Sequence, residues 1–206
     1  MRRRILLALA AVALAGQAMA QTPAPAAPDL GRTVRVDVNT GAGKIVLELY
    51  PDRAPITVAN FLHYVDTKRY DGLHFFRAAR APGAPTFGLV QGGGFTDARL
   101  LYKGIAHEPT SQTGILHHDG TISMAREKPG TAQADFFIAV GDAPYLDADP
   151  TKPGDNLGYA AFGKVVEGMD VVRAILAMPT EGKPRNPTMQ GQILTDPVPI
   201  VSVRRE

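Results

Sequence analysis

Alternating hydrophobic and polar residues mark the first regular segments of the chain. From Thr33 to Asn39 every second residue is a valine, and from Lys44 to Tyr50 three aliphatic residues fall on one face. This alternation is typical of half-buried β-strands. The short segment Gly41-Ala42-Gly43 between them is a turn sequence, so the pair is predicted to form a β-hairpin.

Two later segments have the periodicity of a helix instead. Apolar residues recur at i, i+3, i+4 and i+7 after Pro55, and at i, i+3 and i+7 from Met169. This spacing places them on one helical face, and proline suits a first helical turn. The two apolar stripes are Val58, Phe61, Leu62 and Val65, and Met169, Val172 and Leu176.

The remaining apolar segments are short, lie far apart and show no alternation of strands with helices. The chain therefore predicts a mostly β fold, a closed eight-stranded antiparallel barrel capped by two helices. Loops are expected at 80–85, 95–119 and 147–158. The further strands are expected at 73–78, 86–91, 121–125, 136–140, 159–166 and 198–203.

The first 32 residues have a different composition. Arg2, Arg3 and Arg4 precede an apolar run from Ile5 to Ala15, which is too short to cross a bilayer, and Ala18-Met19-Ala20 has the form of a cleavage site. We expect residues 1–20 to be a signal peptide cleaved near Ala20. Residues 21–32 then form a Pro/Ala-rich tether, and 33–206 form one domain. This predicts a periplasmic protein with no membrane span in the mature chain.

Charge and cysteine content exclude several functional classes. The chain carries 22 Lys and Arg against 20 Asp and Glu, and without the first three arginines 19 basic residues remain. A nucleic-acid partner needs a basic surface, so none is expected. The sequence contains no cysteine, which excludes thiol nucleophiles and thiolate metal sites.

Two stretches carry the most specific motifs. His74 to Thr96 reads HFFRAARAPGAPTFGLVQGGGFT, and Gly120 to Val140 reads GTISMAREKPGTAQADFFIAV. They resemble the signature segments of the cyclophilin family of peptidyl-prolyl isomerases, which are an F-H-R segment, a GF-M-x-QGG-x-FT segment and an SQFFI segment. The resemblance covers roughly Thr33 to Val203. It implies an eight-stranded barrel that isomerises X–Pro bonds without a cofactor or metal. The partners would be proline-containing peptides and unfolded exported proteins, and we expect a monomer.

The reaction requires no bond to be cut. The amide barrier is about 18–20 kcal/mol, and an enzyme lowers it by binding the twisted amide better than either planar form. Twisting makes the prolyl nitrogen pyramidal and gives it a usable lone pair. A fixed N–H donor aimed at that nitrogen, together with an apolar cup for the ring, would therefore suffice.

The resemblance assigns most of these parts to the first stretch. Arg77 matches the family's arginine and would donate to the prolyl nitrogen, although Phe76 stands where the family has His. Leu89 and Gln91 match the M-x-Q positions, as a pocket wall and a binder of peptide backbone. For Phe87 two outcomes stay open: the preceding loop brings it into the pocket, or the pocket lacks that ring.

The second stretch supplies the other substrate-binding residues. Ala125 and Arg126 match a pair whose backbone holds the residue before proline, and Phe137 matches the floor of the proline pocket. Leu146 and Tyr159 match two further wall positions, with Tyr159 standing where many relatives have His. Ordinary core packing is the alternative interpretation for the apolar members of this set, because most apolar residues are buried.

Asp135 departs from the family pattern, which has Gln at this position. A carboxylate cannot donate the amide hydrogen bond. It could instead pair with Arg77 and either orient or occupy it. The alternative function is therefore a proline-peptide binding module or holdase with weak or no turnover. A weaker alternative is a structural barrel without a functional pocket.

Adjacent histidines invite a metal or nucleophile interpretation. His117-His118-Asp119 lacks a third ligand with helix or strand spacing, so we expect a solvent-exposed loop. The histidines, Ser111 and Ser123 likewise suggest no nucleophile–base pair.

Overall fold

The computed structural model describes residues 29–94 and 98–206. Eight strands form a closed barrel in the order β1-β2-β7-β5-β6-β4-β3-β8, and every neighbouring pair is antiparallel. The predicted fold class is confirmed. The strands are β1 (Val34–Thr40), β2 (Gly43–Leu49), β3 (His74–Ala81), β4 (Ala84–Gly93), β5 (Thr121–Met124), β6 (Phe136–Val140), β7 (Ala160–Glu167) and β8 (Ile193–Arg205).

Strand β8 closes the barrel. It pairs with β1 on one side, where Val38 lies opposite Val203, and with β3 on the other, where Phe75 lies opposite Val198. The predicted hairpin of β1 and β2 is also present, with Val36 opposite Leu47.

In the described part of the chain, three α-helices accompany the barrel, namely α1 (Pro55–Asp66), α2 (Thr110–Thr113) and α3 (Met169–Ala177). The two predicted from apolar periodicity are α1 and α3, and α2 is a single additional turn. The predicted stripe of α1 is buried, and Phe61 packs edge-to-face against Phe136 at a ring distance of 5.6 Å. This packing attaches α1 to the barrel core, because such aromatic pairs add to the stabilisation by burial.

The N-terminus of α1 is capped from a distant part of the chain. Glu108, which is buried, accepts hydrogen bonds from the backbone N–H groups of Ile56 and Thr57 at 3.1 and 2.7 Å, and from the Thr57 hydroxyl at 2.6 Å. These amides have no partner within the helix, and a carboxylate there also complements the helix dipole. Glu108 therefore anchors the loop between β4 and β5 to α1.

The C-terminal end of α3 has a similar cap. The guanidinium of Arg80, on β3, donates to the carbonyl of Leu176 at 2.8 Å and also to that of Met178. These carbonyls are left without helical partners at a helix end. Arg80 thus attaches α3 to the β3–β4 hairpin.

Some predicted boundaries were wrong. Residues 80–85 were expected to form a loop, yet β3 and β4 extend to Ala81 and from Ala84, leaving only Pro82-Gly83 as the turn. Strand β8 also begins before the predicted Val198. Residues 1–28 lie outside the described part, so the predicted signal peptide and most of the predicted tether stay predictions. Among the described helices, none has the length and apolar character needed to cross a membrane.

Candidate active site

A cavity of about 790 Å³ opens beside β3, β4 and β6, on the opposite side of β6 from the barrel core. Phe136 and Ile138 face the core, while Phe137 between them belongs to a separate apolar cluster. This follows from the alternation of side chains along a strand. The structure brings eight of the predicted site residues together around the cavity: Arg77, Leu89, Gln91, Ala125, Arg126, Phe137, Leu146 and Tyr159.

The apolar part of the cavity is built around Phe137. Its ring is 3% exposed and packs edge-to-face against Tyr159, with ring centroids 5.3 Å apart and an interplanar angle of 89°. Leu146 belongs to the same cluster, and Leu89 packs against it. These side chains form a small apolar cup that is separate from the main core.

Arg77 lies at the polar side of this cup, and two glutamines fix its guanidinium. Nη1 donates to Oε1 of Gln91 at 2.9 Å, while Nε and Nη2 donate to Oε1 of Gln192 at 2.9 and 2.6 Å. A guanidinium carries five N–H groups, so three are held within the protein and two are left for a ligand. The donor is therefore oriented before any substrate arrives.

Burial lowers the pKa of Arg77 from its ordinary value, opposed by the nearby Tyr159 and Tyr145 hydroxyls. The side chain nevertheless stays charged at neutral pH, since arginine titrates far above this range. No carboxylate among the described residues forms an ion pair with Arg77. A charge with no counter-ion among the described residues, in a partly buried cup, can interact strongly with a developing lone pair.

Asp135 does not pair with Arg77, so the suggested direct pairing was wrong. In the described part of the chain, Asp135 accepts a hydrogen bond from the backbone N–H of Gly94 at 2.8 Å and interacts with the side chain of Gln91. Gln91 thus lies between the two charged residues, with its oxygen facing Arg77.

The backbone next to Asp135 requires glycine. Gly93 has φ +113°, and a Cβ placed there would lie 2.4 Å from Oδ1 of Asp135. Burial raises the pKa of Asp135, and hydrogen bonding by Gly94 and Gln91 opposes this effect. The carboxyl group therefore lies in an environment that penalises its charge.

Arg126 lines the cavity, and its guanidinium is already occupied by partners within the protein. Its guanidinium pairs with Asp155 through Nη1 at 2.5 Å, donates from Nε to the carbonyl of Gly158 at 2.9 Å, and lies 5.2 Å from the centre of the Tyr159 ring. The side chain is thereby committed to shaping the wall. Only the backbone of Arg126 is available to hold a peptide, as the resemblance implies.

Phe87 is absent from this cup, which decides between the two outcomes left open. The ring is 50% exposed and packs on Gly141 in a different cavity, lined also by Leu176 and Arg173. Gly88 has φ +147°, and the register of β3 with β4 shifts between Arg80 and Ala81. The regular alternation of β4 is interrupted there, so Phe87 does not share the face of Leu89.

His117 was predicted to lie in an exposed loop, and this was wrong. It is only 1% exposed, and its ring nitrogens contact Asp147 at 2.7 Å and Ser123 at 3.0 Å. A hydrogen bond between His117 and Ser123 was also not expected, although Ser123 is 0% exposed and therefore cannot meet a substrate as a nucleophile. No pattern in the sequence indicates this burial, because it depends on tertiary packing. No cluster of three or more metal-ligating side chains occurs within residues 29–94 and 98–206.

Sequence reasoning also missed other residues that line the cavity, and four of them come from outside the β3–β4 hairpin. Tyr145 belongs to the turn Pro144–Leu146, while Thr188, Met189 and Gln192 come from the proline-containing segment before β8. That segment has no periodicity, and nothing in its composition points to Arg77. Its proximity to β3 follows only from the pairing of β3 with β8.

Comparison with known proteins identifies relatives over most of the chain. The sequence model described as "Cyclophilin type peptidyl-prolyl cis-trans isomerase/CLD" matches residues 35–204. A peptidyl-prolyl cis-trans isomerase of Acinetobacter baylyi is 34% identical over 206 residues, covering 99% of this chain and 96% of the relative. One from Streptomyces antibioticus is 41% identical over 147 residues, covering 70% of this chain and 84% of the relative.

A solved structure shares the architecture. The cyclophilin type peptidyl-prolyl cis-trans isomerase of Cryptosporidium parvum, determined in the presence of the dipeptide Ala-Pro, superposes with a TM-score of 0.62 at 20% identity. The match covers 84% of this chain and 98% of that one. At this identity the comparison supports the barrel fold.

Proposed function

The chain belongs to the family of cyclophilin-type peptidyl-prolyl cis-trans isomerases and has the activity of that family; we propose that it accelerates X–Pro isomerisation in proteins that fold after export. The proposed catalysis rests on one observation. Gln91 and Gln192 hold the guanidinium of Arg77 beside the apolar cup of Phe137. These are the donor and the ring pocket that the reaction requires.

The cup would bind the proline ring. Phe137, Leu146, Leu89 and Tyr159 offer an apolar surface of suitable size, and burial of a prolyl ring there removes apolar area from water. A ring held in the cup leaves the preceding carbonyl free to swing during rotation. Proline-containing peptides are therefore the ligands we propose.

Arg77 would act at the amide nitrogen. A planar amide has delocalised its nitrogen lone pair, so it offers a poor acceptor in either ground state. As the bond twists, the nitrogen becomes a better acceptor and the hydrogen bond from the guanidinium strengthens. Such an interaction lowers the barrier, because it stabilises the transition state more than the bound substrate.

The peptide backbone would lie along the β5 end of the cup. The N–H of Ala125 donates to the carbonyl of Asp135 at 2.8 Å. A clamp on the substrate would therefore use the carbonyl of Ala125 and the backbone of Arg126. Since Oε1 of Gln91 accepts from Arg77, we assign Gln91 first to orienting the arginine.

The alternative of a binding module with little turnover rested on Asp135 occupying Arg77. Gln91 contacts both Arg77 and Asp135, and this supports turnover over that alternative. A protease-coupled assay on an Ala–Pro peptide, with wild type and Arg77→Ala, tests the proposal. Acceleration that depends on Arg77 supports it, whereas peptide binding without acceleration would favour the binding module.

The location of the protein is also a proposal. It is supported by the Arg2-Arg3-Arg4 run, the apolar run after it and the Ala18-Met19-Ala20 site, all in residues that the structure does not describe. We propose cleavage near Ala20 and release into the periplasm, where unfolded exported chains would be the substrates. We also propose that the protein is a monomer. Light scattering of the purified mature chain tests the monomer.

A further inference from the structure

A chain of three hydrogen-bonded side chains lies directly behind the proline cup. Oδ1 of Asp147 lies 2.7 Å from Nδ1 of His117, and Nε2 of the same ring lies 3.0 Å from Oγ of Ser123. The side chain of His117 is fully buried, Ser123 is 0% exposed, and the side chain of Asp147 is 15% exposed. We refer to Ser123, His117 and Asp147 as the buried relay.

The contacts determine where the proton of the imidazole lies. Oδ1 of Asp147 also accepts a hydrogen bond from the backbone N–H of His117 at 3.0 Å. An ionised carboxylate only accepts, so Nδ1 of the ring carries the proton and donates it to Asp147. Nε2 is then the acceptor, and the hydroxyl of Ser123 donates to it. Each polar atom of the ring is satisfied in the neutral form.

Burial lowers the pKa of His117, while the hydrogen bond and charge of Asp147 oppose this effect. The titratable groups that face the ring are Asp147, from the segment after the turn Pro144–Leu146, and the neighbouring His118, which lowers the pKa further. His118 itself is exposed and contacts Asp142 at 3.2 Å. Strands β5 and β6 present Ser123 and Phe137 to the ring, and neither brings a charge.

Each member of the buried relay adjoins a wall of the cup. The ring of His117 stacks on that of Phe137, with centroids 5.9 Å apart and an angle of 14°. Ser123 lies opposite Phe137 in the pairing of β5 with β6. Asp147 directly follows Leu146 in the chain. The next residue is also anchored, because the backbone N–H of Ala148 donates to the hydroxyl oxygen of Thr110 at 2.8 Å. The relay therefore holds the floor and one wall in fixed relation.

The same three residue types form the catalytic triads of serine hydrolases. In a hydrolase the serine oxygen must meet the substrate carbonyl, and here Ser123 has no exposed surface. A nucleophilic role therefore does not fit the geometry. What remains is a structural connection from a titratable ring to Phe137.

We propose that the buried relay positions Phe137 for the isomerase reaction, and that protonation of His117 displaces this ring and lowers activity. The proposal rests on the isomerase activity of the cup. Protonation at Nε2 would turn that atom into a donor that faces the hydroxyl of Ser123. The hydroxyl must then reverse its role, and a charge appears behind an apolar ring at a desolvation cost. Stacking of His117 on Phe137 would be disturbed as a result.

The test combines a titration with a pH–activity profile. Long-range ¹H–¹⁵N NMR follows His117 from about pH 8 down through the ordinary histidine pKa of about 6.5 and below it, because burial lowers the pKa of this ring, and the ring resonances of Phe137 are followed in parallel. Isomerisation of an Ala–Pro peptide is measured at each pH by NMR exchange, which avoids a coupling protease. We expect kcat/KM to fall about tenfold as His117 takes up its proton, equivalent to about 1.4 kcal/mol.

Variants then assign the effect. His117→Asn should abolish the acid decline, while the matched control His118→Asn, an exposed neighbour, should retain it. Asp147→Asn should move the midpoint to lower pH, because the carboxylate favours the charged ring. An acid decline that persists in His117→Asn would overturn the proposal.

The NMR titration of the wild-type protein tests the proposal even when a variant fails to fold. If the Phe137 resonances shift with the same pH midpoint as the His117 titration, the proposal is supported. If they do not change across that titration, it is contradicted. The NMR result is independent of turnover. A protein without isomerase activity but with coupled resonances would therefore disprove the catalytic assignment and not the coupling within the relay.

Discussion

The guanidinium of Arg77 donates two hydrogen bonds to one oxygen atom of Gln192. Nε and Nη2 converge on Oε1 at 2.9 and 2.6 Å. Because two donors on one edge share an acceptor, the plane of the guanidinium is fixed relative to the start of β8. Gln192 is thus a positioning residue that acts through Arg77.

Replacing Gln192 should therefore weaken catalysis without unfolding the protein. A hydrogen bond to a charged group contributes roughly 1.5–3 kcal/mol, but Gln91 would still hold Arg77 in Gln192→Ala. We expect kcat/KM on an Ala–Pro peptide to fall about 5- to 20-fold, with an unchanged melting temperature. The measurement is a protease-coupled assay together with a thermal melt.

The chain offers a matched control for this experiment. Gln190 is exposed and lies two residues away, so Gln190→Ala should retain wild-type activity. Gln192→Glu should also be slow, because a carboxylate would pair with the guanidinium and compete with the prolyl nitrogen. Equal activity of Gln192→Ala and Gln190→Ala would show that Gln91 alone orients the arginine.

Arg77→Ala removes the proposed donor itself. At roughly 1.5–3 kcal/mol for a charged hydrogen bond, and about 1.4 kcal/mol per tenfold in rate, the expected loss in kcat/KM is about 10- to 150-fold. Ground-state peptide binding should fall much less, since planar amides are poor partners for the guanidinium. Arg77→Lys should recover only part of the rate, because an ammonium lacks the planar fork.

Two measurements separate a catalytic loss from a structural one in the Arg77 variants. A thermal melt reports whether the barrel remains folded, and peptide titration by NMR reports binding. A folded Arg77→Ala protein with the wild-type rate would remove the proposed mechanism.

Asp135→Asn should change how stability depends on pH. Burial raises the pKa of Asp135 in the folded protein above its ordinary value of about 3.9. The folded state therefore binds this proton more tightly than the unfolded state does. The contribution of this tighter proton binding to stability is complete when the pH is below the unfolded-state pKa of Asp135, and it is lost as the pH rises through the folded-state pKa. Asparagine does not ionise, so the variant does not bear the cost of a buried charge at higher pH.

Melting temperatures of wild type and Asp135→Asn, measured from about pH 3.5 to pH 7, check this prediction. The melting temperature of Asp135→Asn should exceed that of wild type by an amount that grows as pH rises through the folded pKa of Asp135 and then levels off. If the melting temperature of wild type instead rises relative to that of the variant as pH increases, the hydrogen bonds from Gly94 and Gln91 affect the pKa of Asp135 more than burial does.

Glu108→Ala should destabilise the protein although Glu108 does not line the cavity. The substitution leaves two helix N–H groups and the Thr57 hydroxyl without their acceptor. Loss of a charged cap of this kind should cost about 2–4 kcal/mol of unfolding free energy. Urea denaturation measures it, with the exposed Glu127→Ala as control. If both variants unfold at the same urea concentration, the cap contributes nothing.

The sequence predicts those features that depend on nearby residues. The hairpin of β1 and β2, the buried stripe of α1 and the alternation that turns Phe137 away from Phe136 all follow from local periodicity. Arg77, Gln91 and Phe137 were found because each belongs to a short motif. The barrel class followed from the number and spacing of such segments.

Features that depend on distant pairing could not be found in this way. Gln192 reaches Arg77 only because β8 pairs with β3, and Glu108 caps α1 across a long separation in sequence. Phe87 could not be placed from the sequence, because the register shift near Gly88 changes which face it occupies. His117 looks like an exposed polar residue until Asp147 and Ser123 are seen to satisfy it.

The position of β8 has a consequence for the order in which the fold can form during synthesis. This strand fills the gap between β1, the first strand of the barrel, and β3. Until residues 193–205 have left the ribosome, both neighbours expose unpaired backbone groups, and such edges invite association with other chains. Closure also joins segments that are distant in sequence, which slows folding. A nascent chain of this protein therefore keeps an open barrel, and needs protection, until β8 has been made.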